Sequence, residues 1–117
     1  MAKALFLDMD GTLFNDRKEF TAGNRAAIRQ ALDRGHQIII STGRPLVSVK
    51  ELARQLDLEF EGCYAITFNG GEIYDLYRQK SIYKKTLPLE HVRYILSKSA
   101  EYGLHCQTYD DTHVLAE

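Results

Sequence analysis

The chain has 117 residues, of which 44% are hydrophobic and 26% are charged, so it can bury one modest core. Its 15 basic and 16 acidic residues give a formal net charge of −1, which excludes a global field that would recruit nucleic acid or an anionic membrane. No stretch approaches the roughly 20 apolar residues of a membrane span, and no signal-peptide pattern precedes the first strand, so we expect a cytoplasmic protein.

The first predicted element is a strand at about residues 3–8 that ends in two carboxylates. Its sequence, ALFLD followed by MDGTL, passes from an apolar run into charge within a few residues. This pattern is typical of a buried parallel strand whose carboxyl end opens into a ligand-binding crevice. Residues two apart in an extended chain point the same way, so Asp8 and Asp10 can address one reacting centre.

The same two carboxylates predict a metal site. Close carboxylates repel each other, and Mg²⁺ suits them because it prefers oxygen ligands and keeps several waters. Gly11 allows the backbone to turn sharply, and the Thr12 hydroxyl can bond a carboxylate or the backbone. The alternative interpretation is an ordinary Asp-Gly turn with a solvated Asp8.

A polar segment and a helix follow. Residues 15–21 are interpreted as a mobile flap beside the carboxylates. A helix is predicted at about residues 22–34, and Gly35 ends it. The uneven apolar face of this helix consists of Ala22, Ala26, Ile28, Ala31 and Leu32.

A second strand, at about residues 37–41, leads into a candidate anion site. The motif STGRP at residues 41–45 joins this strand to a helix predicted at about 45–57. A hydroxyl, a glycine amide and a helix N-terminus together can bind an anion, and Arg44 could reach a phosphate or a carboxylate with a bidentate fork. The alternative is a simple helix cap formed by one of the two hydroxyls.

A third strand, at about residues 64–67, ends in the turn FNGG. The alternation of strands and helices predicts an α/β fold with a parallel sheet and right-handed crossovers, which places the motif-bearing strand ends at one edge. After Asn69 the pattern changes, and residues 72–76 and 81–85 predict a hairpin. The predicted elements of the remaining chain are a helix at about 88–102 and strands at about 104–109 and 112–116.

The cysteines, histidines and tyrosines indicate less about function than the two strand-end motifs do. Cys63 and Cys106 are widely separated and are predicted to be buried free thiols in a reducing compartment. The four histidines lack metal-binding spacing and are interpreted as structural or solvated. Six tyrosines are interpreted as strand or core aromatics in preference to substrate contacts: Tyr74, Tyr77, Tyr83, Tyr94, Tyr102 and Tyr109.

The order of these motifs carries a family resemblance. A strand with DxDGTL, a helix, a strand with STGRP, a second helix and then AITFNGGEIYD together resemble the haloacid dehalogenase-like superfamily of aspartate-nucleophile phosphohydrolases, in its Cof-type branch. The resemblance covers essentially the whole chain, laid on the N-terminal part of such a protein. It implies a Rossmann-like three-layer core, of which residues 1–71 form the first half, and an α+β cap that begins within residues 72–117.

The resemblance also implies roles for individual residues. Asp8 would attack the phosphoryl group, and Asp10 would act as general acid and base. Asp8 and the main-chain carbonyl of Asp10 would bind Mg²⁺. Thr42 and the amide of Gly43 would hold the phosphate, with Arg44 beside the site and Asn69 at its mouth, and Gly11 and Thr12 would support the carboxylates.

Two motifs of the family are absent from these residues. Family members carry a later lysine or arginine beside the nucleophile, and then a GDxxND-like acidic motif that completes the Mg²⁺ site; neither occurs here. Asp110 and Asp111 are interpreted as solvated carboxylates, and Lys84 and Lys85 as a solvated strand end. The first function hypothesis is therefore an Mg²⁺-dependent phosphatase of small phosphorylated metabolites such as sugar phosphates, represented by a truncated chain.

Alternatives remain open. The second hypothesis is a catalytically inactive remnant that binds phosphate or a partner, and a phosphotransferase or mutase with the same nucleophile is a third. In the family, later strands pair on the far side of the first strand, so the resemblance implies an exposed first strand here. Such an edge is a template for association, and we expect a homodimer, a complementing fragment or poor solubility.

Overall fold

The computed structural model describes residues 1–116. Strands and helices alternate through the first three strands, and a hairpin, a third helix and a short hairpin follow. In chain order the elements are β1 Ala4–Asp8, α1 Ala22–Asp33, β2 Gln37–Ser41, α2 Leu46–Gln55, β3 Cys63–Thr67, β4 Glu72–Asp75, β5 Lys80–Lys84, α3 Leu89–Glu101, β6 Gln107–Tyr109 and β7 Val114–Ala116. Every predicted element is present, with bounds that differ by a few residues.

The five long strands form one mixed sheet in the order β1-β2-β3-β4-β5. β1, β2 and β3 are parallel, whereas β4 runs antiparallel to β3 and β5 antiparallel to β4. A 3₁₀ turn at Phe68–Gly70 reverses the chain after β3, so β4 joins the same sheet directly. The fold is α/β and Rossmann-like, but the sheet is parallel only over its first three strands.

The core lies on the sheet face that α1 and α2 cover. Ile38 and Ile40 of β2 belong to it, as do Ile28 of α1 and Val49 and Ala53 of α2. Because strand side chains alternate between faces, the intervening Ile39 belongs to the opposite face. The two helices therefore share one face, as consecutive right-handed crossovers in one direction require.

β1 is the edge strand of this sheet. It pairs with β2 alone among the described residues, and Leu5 and Phe6 remain 49% and 62% exposed. The expectation of a buried first strand is therefore wrong, because no strand within residues 1–116 pairs with its outer side. The exposed edge that the family resemblance implied is present.

The contacts divide the chain after Lys84, and the second unit, from Lys85, contains α3 and the β6–β7 hairpin. The boundary between core and cap that the family resemblance implies, after Gly71, stays a prediction. The last residue of the predicted cap part, Glu117, lies outside the described residues. No helix within residues 1–116 is both long enough and apolar enough to cross a membrane.

The tyrosine interpretation is correct only in part. Tyr74 of β4 is 5% exposed and packs in the core, and Tyr83 and Tyr109 are strand residues that are 47% and 37% exposed. The interpretation is wrong for the other three, which lie outside the strands and are 55% to 70% exposed: Tyr77 in the turn between β4 and β5, Tyr94 in α3 and Tyr102 after α3.

Candidate active site

The carboxyl ends of three parallel strands meet at one edge of the sheet. Asp8 lies opposite Ser41 in the β1–β2 register, and Ser41 lies opposite Ile66 in the β2–β3 register. The Thr42 amide extends this ladder by donating to the Ile66 carbonyl at 2.9 Å. The loops that follow β1, β2 and β3 therefore leave the sheet side by side, as the sequence predicted.

The loop after β1 is held by its apolar residues and presents its polar ones. Met9 and Leu13 are 0% and 2% exposed, which fixes the loop to the core. The Leu13 amide donates to the Asp8 carbonyl at 3.1 Å, and the turn passes through Gly11 at φ +76°, a left-handed conformation that favours glycine. Asp8, Asp10 and Thr12 are exposed to solvent.

Arg44 binds the carboxylate of Asp10. Its Nη2 donates to Asp10 Oδ1 at 2.7 Å, and its Nε donates to Oδ2 at 3.3 Å. The two side chains are 40% and 59% exposed, so water screens this pair and its contribution to stability is small. The two hydrogen bonds instead position the site, because they link the loop after β1 to the loop after β2. The sequence predicted that Arg44 could reach a carboxylate, and it does.

Thr42 organises its own loop instead of capping α2. The Thr42 hydroxyl accepts a hydrogen bond from the Arg44 amide at 3.2 Å. α2 begins at Leu46 after Pro45, whose extended backbone serves as the N-cap position without a side-chain hydrogen bond. The cap alternative does not apply, and Pro45 lies one residue outside the helix predicted from 45.

The turn after β3 is attached to the loop after β2. The Phe68 amide donates to the Arg44 carbonyl at 3.1 Å, and the Asn69 amide donates to the Thr42 carbonyl at 3.3 Å. Asn69 Oδ1 lies only 2.7 Å from the position that a Cβ on Gly43 would take. Glycine at residue 43 therefore leaves the room in which the Asn69 side chain lies.

Two asparagines that the sequence interpretation did not single out organise the surroundings. Asn24, in the first turn of α1, donates from Nδ2 to the Leu13 carbonyl at 3.0 Å and so ties α1 to the loop after β1. Asn15 closes the polar segment: its Oδ1 accepts from the amides of Arg17 and Glu19, each at 2.9 Å. An asparagine that opens a polar run is a turn signal, and it could have identified Asn15.

The oxygen donors at this edge suit a hard cation but do not complete its shell. Arg44 holds the Asp10 carboxylate, which leaves the Asp8 carboxylate as a donor, beside the Asp10 carbonyl that the family resemblance implies. No group of three or more His, Cys, Asp or Glu side chains in the described part of the chain could hold a metal ion. Mg²⁺ keeps several waters in its octahedral shell, so a site with two oxygen donors from the protein suits this ion.

Comparison with known proteins shows the family of this chain. The haloacid dehalogenase-like hydrolase family profile matches residues 5–117. A 5-amino-6-(5-phospho-D-ribitylamino)uracil phosphatase of Bacillus subtilis is 42% identical over 91 residues, which are 78% of this chain and 35% of that protein. The chain spans between 35% and 42% of the length of the curated relatives it matches.

Solved structures show the same fold. A haloacid dehalogenase-like hydrolase from Bacteroides thetaiotaomicron superposes with a TM-score of 0.87 at 30% identity, over 100% of this chain and 44% of that one. A subclass IIB sugar phosphatase of the same superfamily superposes with a TM-score of 0.75 at 27% identity, over 97% of this chain and 43% of that one. The chain therefore matches less than half of the length of each of these two proteins.

Proposed function

Since this chain belongs to the haloacid dehalogenase-like hydrolase family, we propose that it acts as a magnesium-dependent phosphatase of small phosphorylated metabolites. The observation that carries the proposal is the convergence of three loops at one sheet edge, with Asp8 exposed at the end of β1 and Arg44 forked onto Asp10. Phosphoryl transfer needs a nucleophile, a proton donor and anion-binding groups around the phosphoryl oxygens. The three loops carry candidates for each role.

Asp8 is the nucleophile in this proposal. Its carboxylate attacks phosphorus, the bond to the leaving oxygen breaks, and an aspartyl-phosphate forms. Asp10 gives a proton to the leaving oxygen and then takes one from the water that hydrolyses the aspartyl-phosphate. Bound Mg²⁺ would supply positive charge to the phosphoryl oxygens, and Asp8 with the Asp10 carbonyl would hold it.

The anion-binding part consists of the loops after β2 and β3. In this proposal the Thr42 hydroxyl, the Gly43 amide and the Asn69 side chain bind the phosphoryl oxygens. Arg44 cannot point the same N–H pair at Asp10 and at a phosphate. Substrate binding would therefore draw the guanidinium from Asp10, which frees that carboxyl group to take up and release a proton.

The proposal extends to substrate and location. Two of the similar proteins are named as a 5-amino-6-(5-phospho-D-ribitylamino)uracil phosphatase and a sugar phosphatase, which supports a small phosphorylated metabolite as substrate. The two free cysteines, Cys63 and Cys106, support a reducing compartment such as the cytoplasm.

The test is Mg²⁺-dependent phosphate release from a generic aryl phosphate. We expect turnover by this chain, loss of at least about a hundredfold in Asp8→Asn, and retention in Asp16→Asn, which makes the same chemical change in the neighbouring loop. Equal phosphate release by the chain and by Asp8→Asn would contradict the assignment of Asp8. Phosphate binding without turnover would instead indicate that these residues form an incomplete or inactive phosphatase domain.

A further inference from the structure

A second concave surface lies away from the three catalytic loops. It is a groove of about 470 Å³ between α1 and the segment that joins α2 to β3. That segment, residues 56–60, leads into the amino end of β3, whereas the candidate active site lies at the carboxyl ends of the strands. The groove is of the size that small-molecule sites commonly have, and no residue of the proposed catalytic machinery lines it.

Two arginines in the groove are each stacked on a phenylalanine. The guanidinium carbon of Arg29 lies 3.8 Å from the ring centroid of Phe60, and that of Arg25 lies 5.1 Å from the centroid of Phe20. The Arg25 guanidinium is fixed further, because its Nη1 donates to the Leu56 carbonyl at 2.9 Å. Stacking orients a guanidinium plane and leaves its edge and its other face available to a ligand.

The charge of the groove is unbalanced. Within residues 1–116, neither Arg25 nor Arg29 forms an ion pair, and the Arg29 guanidinium donates no hydrogen bond to protein. Asp57 is the single carboxylate among the described residues that line the groove. Two guanidiniums against one carboxylate leave a net positive surface with unused N–H donors.

The remaining walls are apolar. Ile28, Leu32, Leu56 and Leu58 line the groove beside the two phenylalanines. An inorganic anion would meet the arginines but leave these walls wet, and an uncharged apolar molecule would leave the arginines unpaired. A molecule that joins a flat apolar group to an anionic head can satisfy both parts.

We propose that this groove is a second ligand site, which takes a small flat aromatic compound with a carboxylate or similar anionic head. The head accepts a bidentate pair of N–H bonds from Arg29, and the flat group lies on the apolar wall and on the open guanidinium face. The site is independent of the proposed phosphatase activity, because neither Asp8 nor any other residue of the proposed catalytic machinery lines it.

The experiment is a nuclear magnetic resonance titration of ¹⁵N-labelled chain with 2-naphthoate, a flat carboxylate that carries no phosphoryl group. We expect saturable shifts of the amides of α1 and residues 56–60, without shifts at residues 8–12. Acetate, which has the head without the flat group, should bind at least about tenfold more weakly. Arg29→Gln should weaken 2-naphthoate binding about tenfold, since a charge-assisted fork is lost.

The matched control is Arg34→Gln, which removes the same charge at the end of α1 outside the groove and should leave binding unchanged. Absence of saturable shifts, or equal binding by Arg29→Gln and the unsubstituted chain, would overturn the proposal. Shifts of the groove amides on simple dilution, without any probe, would show that a second copy covers the groove and would overturn it as well.

Discussion

At the scale of single residues, Arg44 connects the proton-transferring and anion-binding parts of the candidate site. In the free protein its fork holds Asp10 through bonds of 2.7 and 3.3 Å. A screened pair of this kind contributes little to stability, so a phosphate can compete for the guanidinium at small cost. The pair therefore fits a resting state that substrate rearranges, rather than a fixed structural bridge.

Cys63 allows a prediction about stability against pH. Burial raises the pKa of its thiol from 9.0 to about 11, because the thiolate would lose its hydration in the core, where the residue is 1% exposed. Between about pH 9 and pH 11 the unfolded chain loses this proton while the folded chain keeps it. The free energy of unfolding should therefore fall as pH rises through that window, by on the order of 2 kcal/mol from this thiol.

Urea unfolding of the chain and of Cys63→Ala at both ends of this window measures that contribution. Other groups titrate in both proteins, so the decisive quantity is the difference between their two pH dependences. The unsubstituted chain should lose more stability than Cys63→Ala as pH rises. Parallel pH dependences would show that the thiol ionises equally well in the folded and unfolded states.

The candidate site residues could be predicted from sequence because their chemistry is local. The two carboxylates follow one short apolar run, and the hydroxyl, glycine and arginine follow the next. Both runs are strands, and the parallel topology brings their ends together. The partners could not be predicted, because the fork from Arg44 to Asp10 and the approach of Asn69 to Gly43 depend on loop geometry. Sequence alone could not decide between the helix-cap and loop-closing roles of Thr42 for the same reason.

At the scale of elements, the loop after β1 depends on one glycine. Gly11 has φ +76°, and a Cβ there would meet no atom within 4 Å. Gly11→Ala should therefore cost roughly 1 kcal/mol through backbone strain alone. Gly23→Ala is the matched control, because Gly23 lies in α1 without a positive φ, and it should be neutral or stabilise by roughly 0.5 kcal/mol.

Thermal or urea unfolding of the two variants distinguishes these effects. Strain at residue 11 should appear as a loss of stability that Gly23→Ala does not share. If Gly11→Ala were as stable as Gly23→Ala, the left-handed turn that follows the two carboxylates would not be required in the native state.

The helices and strands themselves were predictable from apolar periodicity and from the capping and turn residues that bound them. Thr21 caps α1 through the Asn24 amide at 3.1 Å, so the predicted start near residue 22 is correct. The third strand begins one residue earlier than predicted, at Cys63, and α2 ends at Gln55 instead of 57. Apolar periodicity does not mark where hydrogen bonding stops, and this accounts for such differences at element ends.

At the scale of the whole molecule, the unpaired edge of β1 dominates the expected behaviour. Sequence indicated α/β alternation and the β4–β5 hairpin, but it could not show that β4 pairs antiparallel with β3 in the same sheet, because that reversal depends on the 3₁₀ turn at Phe68–Gly70. With β4 and β5 on the β3 side, the outer side of β1 has no partner among the described residues. Leu5 and Phe6 lie exposed along it.

We expect this edge to drive concentration-dependent association through strand addition. Phe6→Lys should reduce association, because a charge on an edge strand opposes pairing. Val47→Lys, at a 41% exposed apolar residue of α2, is the control that should leave association unchanged. Sedimentation velocity over a range of concentrations measures this, and a monomer at every concentration would contradict it.

The central claim is that Asp8 forms a covalent phosphoryl intermediate, and chemical trapping tests it most directly. The chain is mixed with Mg²⁺ and an aryl phosphate, quenched, reduced with borohydride and digested for peptide mass spectrometry. An aspartyl-phosphate at residue 8 is reduced to homoserine, so the account predicts homoserine at that position and none in Asp8→Asn. Phosphate release without any reduction product at residue 8, or a product at another carboxylate, would contradict it.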